Sequence, residues 1–401
     1  MKTKVKSTTL LTGLTMFKMF FGAGNIVFSL AIGQYAQSMN IWALIGLLLT
    51  AVIVPFMGIM AMALYNGDNR TFFERAGKIP GFLFVICILA LIGPFGAMPR
   101  CLTLSYSAFQ MLVPQTSLWF FGLIACAFIY VCTIKKTRLM QILGYFFAPA
   151  LLVLIGIIIA KGLWNAPPIQ TSDLSAGAAF THGLKEGYNT LDLLPAFFFS
   201  SIVLGLLKKG HPEHFEGAGN ERKLFKVMLK ASGIGAFFLG AIYIGFSFLA
   251  AHYSKDLVGV KPEVLFNTLA WTVIGPLGGA FTCICVLVSC IATTIALTAV
   301  CSDFVHKEIF KERYDSRIWV IATLAITYAF CFIGFSGIVK LLAPVLQICY
   351  PALIMLTVLN ISHKVFNFSR GTRIAVPATF LGTLLIQNPA LPAKMLNLFI
   401  K

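Results

Sequence analysis

Two short polar stretches that interrupt long apolar runs are the residues from which a binding site is most readily built. The first is Phe21–Asn25, which contains Gly22 and Gly24, and the second is Gly187–Asp192, which is followed by Pro195. A helix that unwinds in an apolar medium leaves N–H and C=O groups without partners, at a cost of several kcal/mol per group unless a ligand or water satisfies them. The exposed helix ends carry about half a unit charge, positive at an N-terminus and negative at a C-terminus. The two stretches therefore indicate a site for a small ligand that bears both charges.

The composition of the chain predicts the medium in which these stretches lie. Of the 401 residues, 58% are hydrophobic and 11% are charged, and the mean hydropathy is +0.88. An average soluble domain is about a quarter charged, so a soluble fold of this length would lack polar side chains to cover its surface. This excludes a cytosolic enzyme, a disordered chain and a disulfide-stapled secreted domain, and it predicts an all-α integral membrane protein.

Apolar runs long enough to cross a bilayer divide the chain into spans. A helix needs roughly 20 apolar residues to cross the hydrocarbon core. We predict about eleven spans, numbered here in chain order: about 10–35, 41–65, 79–113, 117–134, 139–160, 174–207, 231–251, 264–302, 318–339, 341–361 and 374–393.

The net charge of +17 is explained by membrane orientation. About 22 of the 31 Lys and Arg residues fall in every second loop, about seven fall in the other loops (Lys340 among them), and Lys18 and Arg100 lie inside apolar runs. Cytoplasmic loops carry the excess of basic residues, so we predict a cell-membrane protein with a cytoplasmic N-terminus. Nucleic-acid binding would need a basic face on a soluble module, and the scattered charges do not form one.

The cysteines and histidines do not form a pattern that predicts catalysis or metal binding. Most of the ten cysteines lie within apolar runs, and none forms a Cys-x-x-Cys pair, so we expect buried thiols rather than disulfides. The six histidines lie in loops or at helix ends. His211 and His214 fall in the polar loop 208–230, where a solvated loop is favoured over a metal site. We therefore expect no cofactor beyond a coupling ion, and a membrane-embedded enzyme is a remote alternative.

The irregular spans recur with a period of five. Spans 1 and 6 contain the polar interruptions, and spans 3 and 8 are unusually long, at about 35 and 39 residues. Because five is odd, the second five spans must be inserted in the opposite direction, and paired interrupted helices in two inverted halves mark the binding site of a transporter. The pattern predicts one domain, 1–401, with repeats at about 10–160 and 174–361 and an extra helix at about 374–393. Close helix packing through glycine is the alternative for each interruption.

Three motifs in these spans resemble those of the branched-chain amino acid:cation symporter (LIVCS) family. They are Phe20–Asn25, then Ile92–Pro94 with Pro99 and Arg100, then Glu186–Asp192. The resemblance implies the five-plus-five inverted-repeat fold of the leucine-transporter type. It also implies import of leucine, isoleucine and valine with Na⁺ or H⁺ by alternating access. Family members commonly have twelve helices, whereas eleven spans are predicted here.

The resemblance also implies which residues bind the substrate and the cation. The implied substrate residues are Gly22, Ala23 and Gly24 for the carboxylate, and Tyr188, Asn189 and Thr190 for the ammonium, while Tyr106 and Phe197–Phe199 are candidate walls of an apolar pocket. Asn25 would supply a side-chain oxygen to a cation or orient the first break. Thr293 and Thr294 lie where the fold places sodium-binding hydroxyls, although hydrogen bonding to the preceding turn is the alternative. Asp192 could attract the cation or pair with Arg100.

Lys18 departs from the pattern expected near a second cation site. It lies four residues before Gly22 and seven before Asn25, on the same helix face. Its ammonium could take the place of a bound Na⁺, in which case the protein would be a cation-independent carrier of another apolar amino acid. Snorkelling of the lysine to the cytoplasmic interface is the alternative.

Overall fold

The computed structural model of the chain is a bundle of α-helices. It describes residues 2–135, 138–210, 221–367 and 371–387, within which no β-strand occurs. The helices of the first half are α1 (Lys2–Phe20), α2 (Ala23–Ala36), α3 (Asn40–Leu48), α4 (Val54–Leu64), α5 (Asn69–Phe73), α6 (Lys78–Ile92), α7 (Ala97–Leu112), α8 (Leu118–Lys135) and α9 (Arg138–Trp164). Those of the second half are α10 (Ala176–Asn189), α11 (Leu193–Gly210), α12 (Glu221–His252), α13 (Leu265–Phe304), α14 (Ser316–Cys331), α15 (Phe335–Phe366) and α16 (Thr372–Gln387).

Many of these helices are apolar enough to lie in a membrane. Within the described residues, 6 helical stretches are long and apolar enough to cross one, namely Gly24–Leu64, Lys78–Leu112, Leu118–Lys135, Phe225–His252, Pro262–Ile309 and Phe335–Phe366. Shorter apolar helices are Thr9–Phe20, Ala150–Trp164, Leu193–Gly205 and Ser316–Cys331. The prediction of an all-α multi-pass membrane protein is confirmed. The predicted end of the last span, beyond Gln387, and the pair His211 and His214 lie outside the described residues.

Three predicted spans are interrupted by non-helical residues, whereas span 2 stays helical, with a π-helical turn at Leu49–Ile53 between α3 and α4. Span 1 is interrupted between α1 and α2 and span 6 between α10 and α11, as the polar stretches predict. Span 3 is also interrupted, at Gly93–Gly96, which the sequence analysis did not predict. Span 8, the other unusually long span, corresponds to α13. This helix is kinked at Gly275, where φ is +81°, and Pro276 follows it. Glycine adopts this left-handed conformation readily, and proline is well placed as the first residue of the new helical segment.

The predicted boundary between spans 9 and 10 is wrong. The sequence analysis placed Lys340 in the loop between them, but α14 ends at Cys331 and Lys340 lies in the second turn of α15. The chain reverses near Gly334, which has φ +75°. The apolar composition continues through this turn, so the charge at Lys340 was a misleading marker. The residue immediately before α15 is Gly334, and glycine adopts its positive φ readily.

Helices beside the breaks pack closely on helices of the other half of the chain. A Cβ added to Gly183 of α10 would lie 1.9 Å from the carbonyl oxygen of Ala43 in α3. A Cβ added to Gly33 of α2 would lie 2.0 Å from the carbonyl oxygen of Ser247 in α12. The other helices of spans 1 and 6 pack in the same way. Helix α1 packs on α12, and α11 packs on α4. Spans 1 and 6 are therefore held mainly by the seventh and the second span, respectively, each from the opposite half.

The short helix α5 lies in the connection between the stretch that ends at Leu64 and the one that begins at Lys78. Asp68 caps it, and hydrogen bonds, led by that from the Thr71 hydroxyl, lower the pKa of the Asp68 carboxyl. The rings of Phe72 and Phe73 pack on Phe197 of α11, with centroid distances of 5.4 and 5.2 Å. Phe197, a candidate pocket wall in the sequence analysis, thus has its ring against this loop helix.

Candidate functional site at two helix breaks

The first break separates α1 from α2 by a short extended segment. Gly22, immediately before α2, has φ −131° and ψ −175°, and its N–H donates to Oδ1 of Asn25 at 3.1 Å. This bond links Asn25 to the backbone of the break, and both roles predicted for Asn25 stay predictions. An extended backbone suits any residue, so this conformation does not itself require glycine at position 22. The first turn of α2 directs backbone N–H groups into the break, because such groups have no partner within their own helix.

The second break separates α10 from α11 by a turn at Leu191. This residue has φ +65°, the left-handed conformation that is uncommon outside glycine. The hydroxyl of Thr190 donates to the carbonyl oxygen of Gly187 at 2.9 Å. This bond satisfies one of the carbonyl groups that a helix C-terminus leaves without a partner.

The two breaks meet in the interior of the bundle. A Cβ added to Gly24 would lie 3.3 Å from the carbonyl oxygen of Thr190, so the backbones at the two breaks are close to van der Waals contact. Nδ2 of Asn25 donates to Oδ2 of Asp192 at 2.7 Å. The two side chains are 2% and 5% exposed, respectively. One residue from each predicted stretch, Asn25 and Asp192, thus belongs to one buried polar cluster.

Tyr243 of α12 completes this cluster and was missed by the sequence analysis. Its hydroxyl donates to Oδ2 of Asp192 at 3.2 Å and accepts a hydrogen bond from Nδ2 of Asn25. The side chain is fully buried. A single tyrosine in an apolar helix carries no local signal of such a role, and only the packing of α12 on α2 reveals it.

Arg100, in the first turn of α7, lies at the end of α10. Its Nη1 donates to the carbonyl oxygen of Asn189 at 2.7 Å, and the side chain is 5% exposed. The suggestion that Arg100 pairs with Asp192 is wrong. The carboxylate is bonded to residues of α2 and α12, whereas the guanidinium reaches the C-terminal carbonyl of α10.

Tyr188 and Asn189 border the second break within α10. The ring of Tyr188 packs against that of Tyr350 in α15, with centroids 4.8 Å apart. Nδ2 of Asn189 donates to Oε2 of Glu186 at 3.1 Å. The Asn189 side chain is therefore bonded within its own helix, and it is the backbone carbonyl of this residue that meets Arg100.

The two predicted cation-binding threonines of α13 both bond to the preceding turn. The hydroxyl of Thr293 donates to the carbonyl oxygen of Ser289 at 3.0 Å, and that of Thr294 to Cys290 at 2.8 Å. Each hydroxyl oxygen keeps acceptor capacity after donating, so a role in cation binding stays a prediction. In the described part of the chain, no group of three His, Cys, Asp or Glu residues is arranged to hold a metal ion.

Lys18 lies in the last turn of α1, and Tyr106 lies in the second half of α7. The side chain of Lys18 is exposed. The hydroxyl of Tyr106 donates to the carbonyl oxygen of Thr116 at 2.9 Å, and its ring lies 5.7 Å from that of Phe121 in α8. The predicted roles of both residues stay predictions.

A polar centre where two broken helices meet inside an apolar helical bundle defines a class of membrane transporter. Solved transporter structures share the fold. The inward-facing conformation of Mhp1 superposes with a TM-score of 0.65 at 15% identity, covering 97% of this chain and 91% of that chain. Mhp1, a nucleobase-cation-symport-1 family transporter, in a closed conformation with bromovinylhydantoin bound gives 0.63 at 15% identity, covering 96% and 92%. These likenesses confirm the predicted leucine-transporter-type fold.

The chain belongs to the branched-chain amino acid transport protein family, whose pattern matches residues 5–398. The branched-chain amino acid permease BrnQ of Bacillus subtilis is 30% identical over 374 residues, covering 90% of this chain and 82% of the relative. BraB of the same organism, also a branched-chain amino acid permease, is 28% identical over 379 residues, covering 92% and 82%. The resemblance inferred from the motifs is thus confirmed, and the relatives are permeases rather than enzymes.

Proposed function

We propose that the protein imports leucine, isoleucine and valine across the cell membrane as a secondary active transporter coupled to Na⁺ or H⁺. The observation that carries the proposal is the meeting of the two breaks, where Asn25 bonds to Asp192 and Gly24 lies against Thr190. The names of the relatives BrnQ and BraB support the choice of substrate.

The substrate is a zwitterion with an apolar side chain, and the breaks offer a partner for each part. Its carboxylate would lie at the N-terminus of α2, against the N–H groups of Gly22, Ala23 and Gly24, because a helix N-terminus binds anions. Its ammonium would lie beside Tyr188–Thr190, with the carboxylate of Asp192 as the nearby negative charge. One methylene in an apolar pocket is worth about 1–3 kcal/mol, so the three substrates should compete while polar amino acids are rejected.

The burial of the polar cluster supports an alternating-access mechanism. Asn189, Thr190 and Asp192 are all buried, so a substrate reaches them only when helices on one side of the membrane move apart. With a cytoplasmic N-terminus, α1 and α11 would form the cytoplasmic half of the two broken spans, and α2 and α10 the outer half. The exchanged packing of these helices on α12, α3 and α4 supports two inverted repeats.

Uptake of labelled leucine into proteoliposomes tests the proposal. We expect isoleucine and valine to inhibit uptake, polar amino acids to leave it unchanged, and internal unlabelled leucine to drive counterflow. Counterflow separates a carrier from a channel, because a channel does not exchange substrates. If leucine uptake were not saturable, or if no branched-chain amino acid inhibited it, the proposed function would be rejected.

The same assay identifies the coupling ion when Na⁺ and pH gradients are varied separately. If Na⁺ is the ion and the threonines bind it, Thr294→Val raises the Na⁺ concentration that gives half-maximal uptake. Thr298→Val is the matched control, because Thr298 is equally buried and also bonds to the preceding turn. If Lys18 replaces the ion instead, native uptake is independent of Na⁺ and only Lys18→Ala changes the ion dependence.

A further inference from the structure

Arg100 is a buried cation with hydrogen-bond donors to spare. A guanidinium has five N–H donors in a planar fork, and Arg100 uses Nη1 to bond to the carbonyl oxygen of Asn189. Its Nε and Nη2 are buried and have no hydrogen-bond partner. Among the described residues, no carboxylate forms an ion pair with it. A charge buried without full compensation is costly, so an anion that reached Nε and Nη2 would be bound favourably.

The guanidinium lies beside the first break. Its Cζ is 5.7 Å from the ring centroid of Phe28 in α2. The same ring lies 3.7 Å from a Cβ added to Gly24, which in turn is 3.3 Å from the carbonyl oxygen of Thr190. Arg100, the first turn of α2 and the end of α10 therefore enclose one small region.

Two independent sources of positive potential converge in this region. One is the N-terminus of α2, whose first-turn N–H groups lack partners within the helix. The other is the guanidinium itself. Two carboxylates belong to the second break. Glu186 acts on Arg100 electrostatically but accepts its hydrogen bond from Asn189, and Asp192 is held by Asn25 and Tyr243. Neither forms an ion pair with Arg100. An anion with two coplanar oxygens, such as a carboxylate, fits both sources.

We propose that Arg100 binds the carboxylate of the amino acid substrate through Nε and Nη2, together with the N-terminus of α2. The proposal rests on the proposed function and adds a specificity residue to it. Because Nη1 already holds the carbonyl of Asn189, the substrate ammonium is directed away from that group and towards Asp192. Arg100 thereby selects α-amino acids over amines and amides of the same side chain.

Competition between leucine and leucinamide tests the role of Arg100, because the two ligands differ only in the carboxylate. In the native protein we expect leucine to inhibit labelled-leucine uptake at a much lower concentration than leucinamide. In Arg100→Gln, which keeps an amide donor but loses the charge and the planar fork, we expect the inhibitory concentration of leucine to rise about 10- to 150-fold, as for a lost charge-assisted bond. Leucinamide should change less than about threefold, so that the preference for leucine is lost.

Two further variants keep the test decisive. Arg100→Lys retains the charge but not the planar fork, so it should weaken leucine inhibition and leave leucinamide inhibition unchanged, even if Arg100→Gln does not fold. Arg75→Gln is the matched control, since Arg75 also has a buried Nε without a partner but donates to Thr372 of α16. It should keep the native preference.

The outcomes separate the two proposals. If leucine and leucinamide weaken in parallel in both Arg100 variants, Arg100 only positions α10, and the carboxylate assignment is overturned while leucine transport stands. If the native protein does not prefer leucine to leucinamide, the assignment is likewise overturned. If the native protein does not take up leucine at all, the proposed function itself fails.

Discussion

The two helix breaks each contain a glycine and an asparagine but are held in different ways. At the first break, an extended segment is held by a neutral amide, since Asn25 accepts the N–H of Gly22. At the second break, the chain turns through a left-handed Leu191, and the charged side chain of Arg100 binds the last carbonyl of α10. The N–H end at the first break is thus left open to a ligand, while the C=O end at the second break already has a cation. Under the proposed function, the first break would bind the substrate carboxylate and the second would position the groups around it.

The breaks nevertheless share one feature, which is the glycine packing of an adjoining helix. Gly33 fixes α2 against α12, and Gly183 fixes α10 against α3. If the breaks are to face each other, both of these contacts must hold. The comparison can be tested by substitution at a glycine contact between helices, at a side-chain hydrogen bond and at a single backbone position.

The largest effect is expected from Gly183→Ala. The added methyl would lie 1.9 Å from a backbone carbonyl oxygen, and overpacking of this kind costs about 1–3 kcal/mol or more. We expect a large fall in the melting temperature of the detergent-purified protein, and the same for Gly33→Ala. Gly177→Ala in the same helix is the control, because a Cβ there meets nothing within 4 Å. Equal melting of the Gly183 and Gly177 variants would contradict the close packing of α10 on α3.

An intermediate effect is expected from Asn25→Ala. The change leaves the Gly22 N–H without its acceptor and removes the amide donor to Asp192, at about 1–3 kcal/mol for a buried group left unsatisfied. We expect both the melting temperature and leucine binding to fall. Tyr243→Phe removes one hydroxyl and should have a smaller effect of about 1 kcal/mol.

Asn360→Ala is the control for that experiment. Asn360 is fully buried and donates to the carbonyl oxygen of Phe72 at 3.1 Å, which places its bond at the loop helix α5. We expect this variant to lose stability while its affinity for leucine is unchanged. A native affinity for leucine in Asn25→Ala would show that the amide does not organise the site.

The smallest effect is expected from Gly22→Ala, and its sign is informative. The extended conformation at position 22 accepts a Cβ, which would lie 3.5 Å from Oδ1 of Asn25. Replacing glycine at a compatible position stabilises a protein by about 0.4–1 kcal/mol through the unfolded state. We therefore expect a slightly higher melting temperature. Gly24→Ala should instead lower it, because its Cβ would press on the carbonyl of Thr190; destabilisation by Gly22→Ala would show that the first break needs a different backbone conformation.

The sequence determined the class of protein and the position of its two predicted breaks. Apolar runs of membrane length and polar stretches such as Phe21–Asn25 are local signals, and a break in a helix is visible wherever glycine and polar residues interrupt such a run. Local signals failed where the composition was uniform. The turn at Gly334 lies within a continuous apolar run, and Lys340 was mistaken for its marker.

The tertiary structure alone decided which side chains surround the breaks. Tyr243 contacts Asn25 across 218 residues of chain, and Arg100 contacts Asn189 across 89 residues. The sequence identified Arg100 and Asp192 as charged residues within the membrane but could not assign their partners. The physical reason is that a buried polar group bonds to whichever donor or acceptor the packing of helices brings within about 3 Å, and that packing depends on contacts spread over the whole bundle.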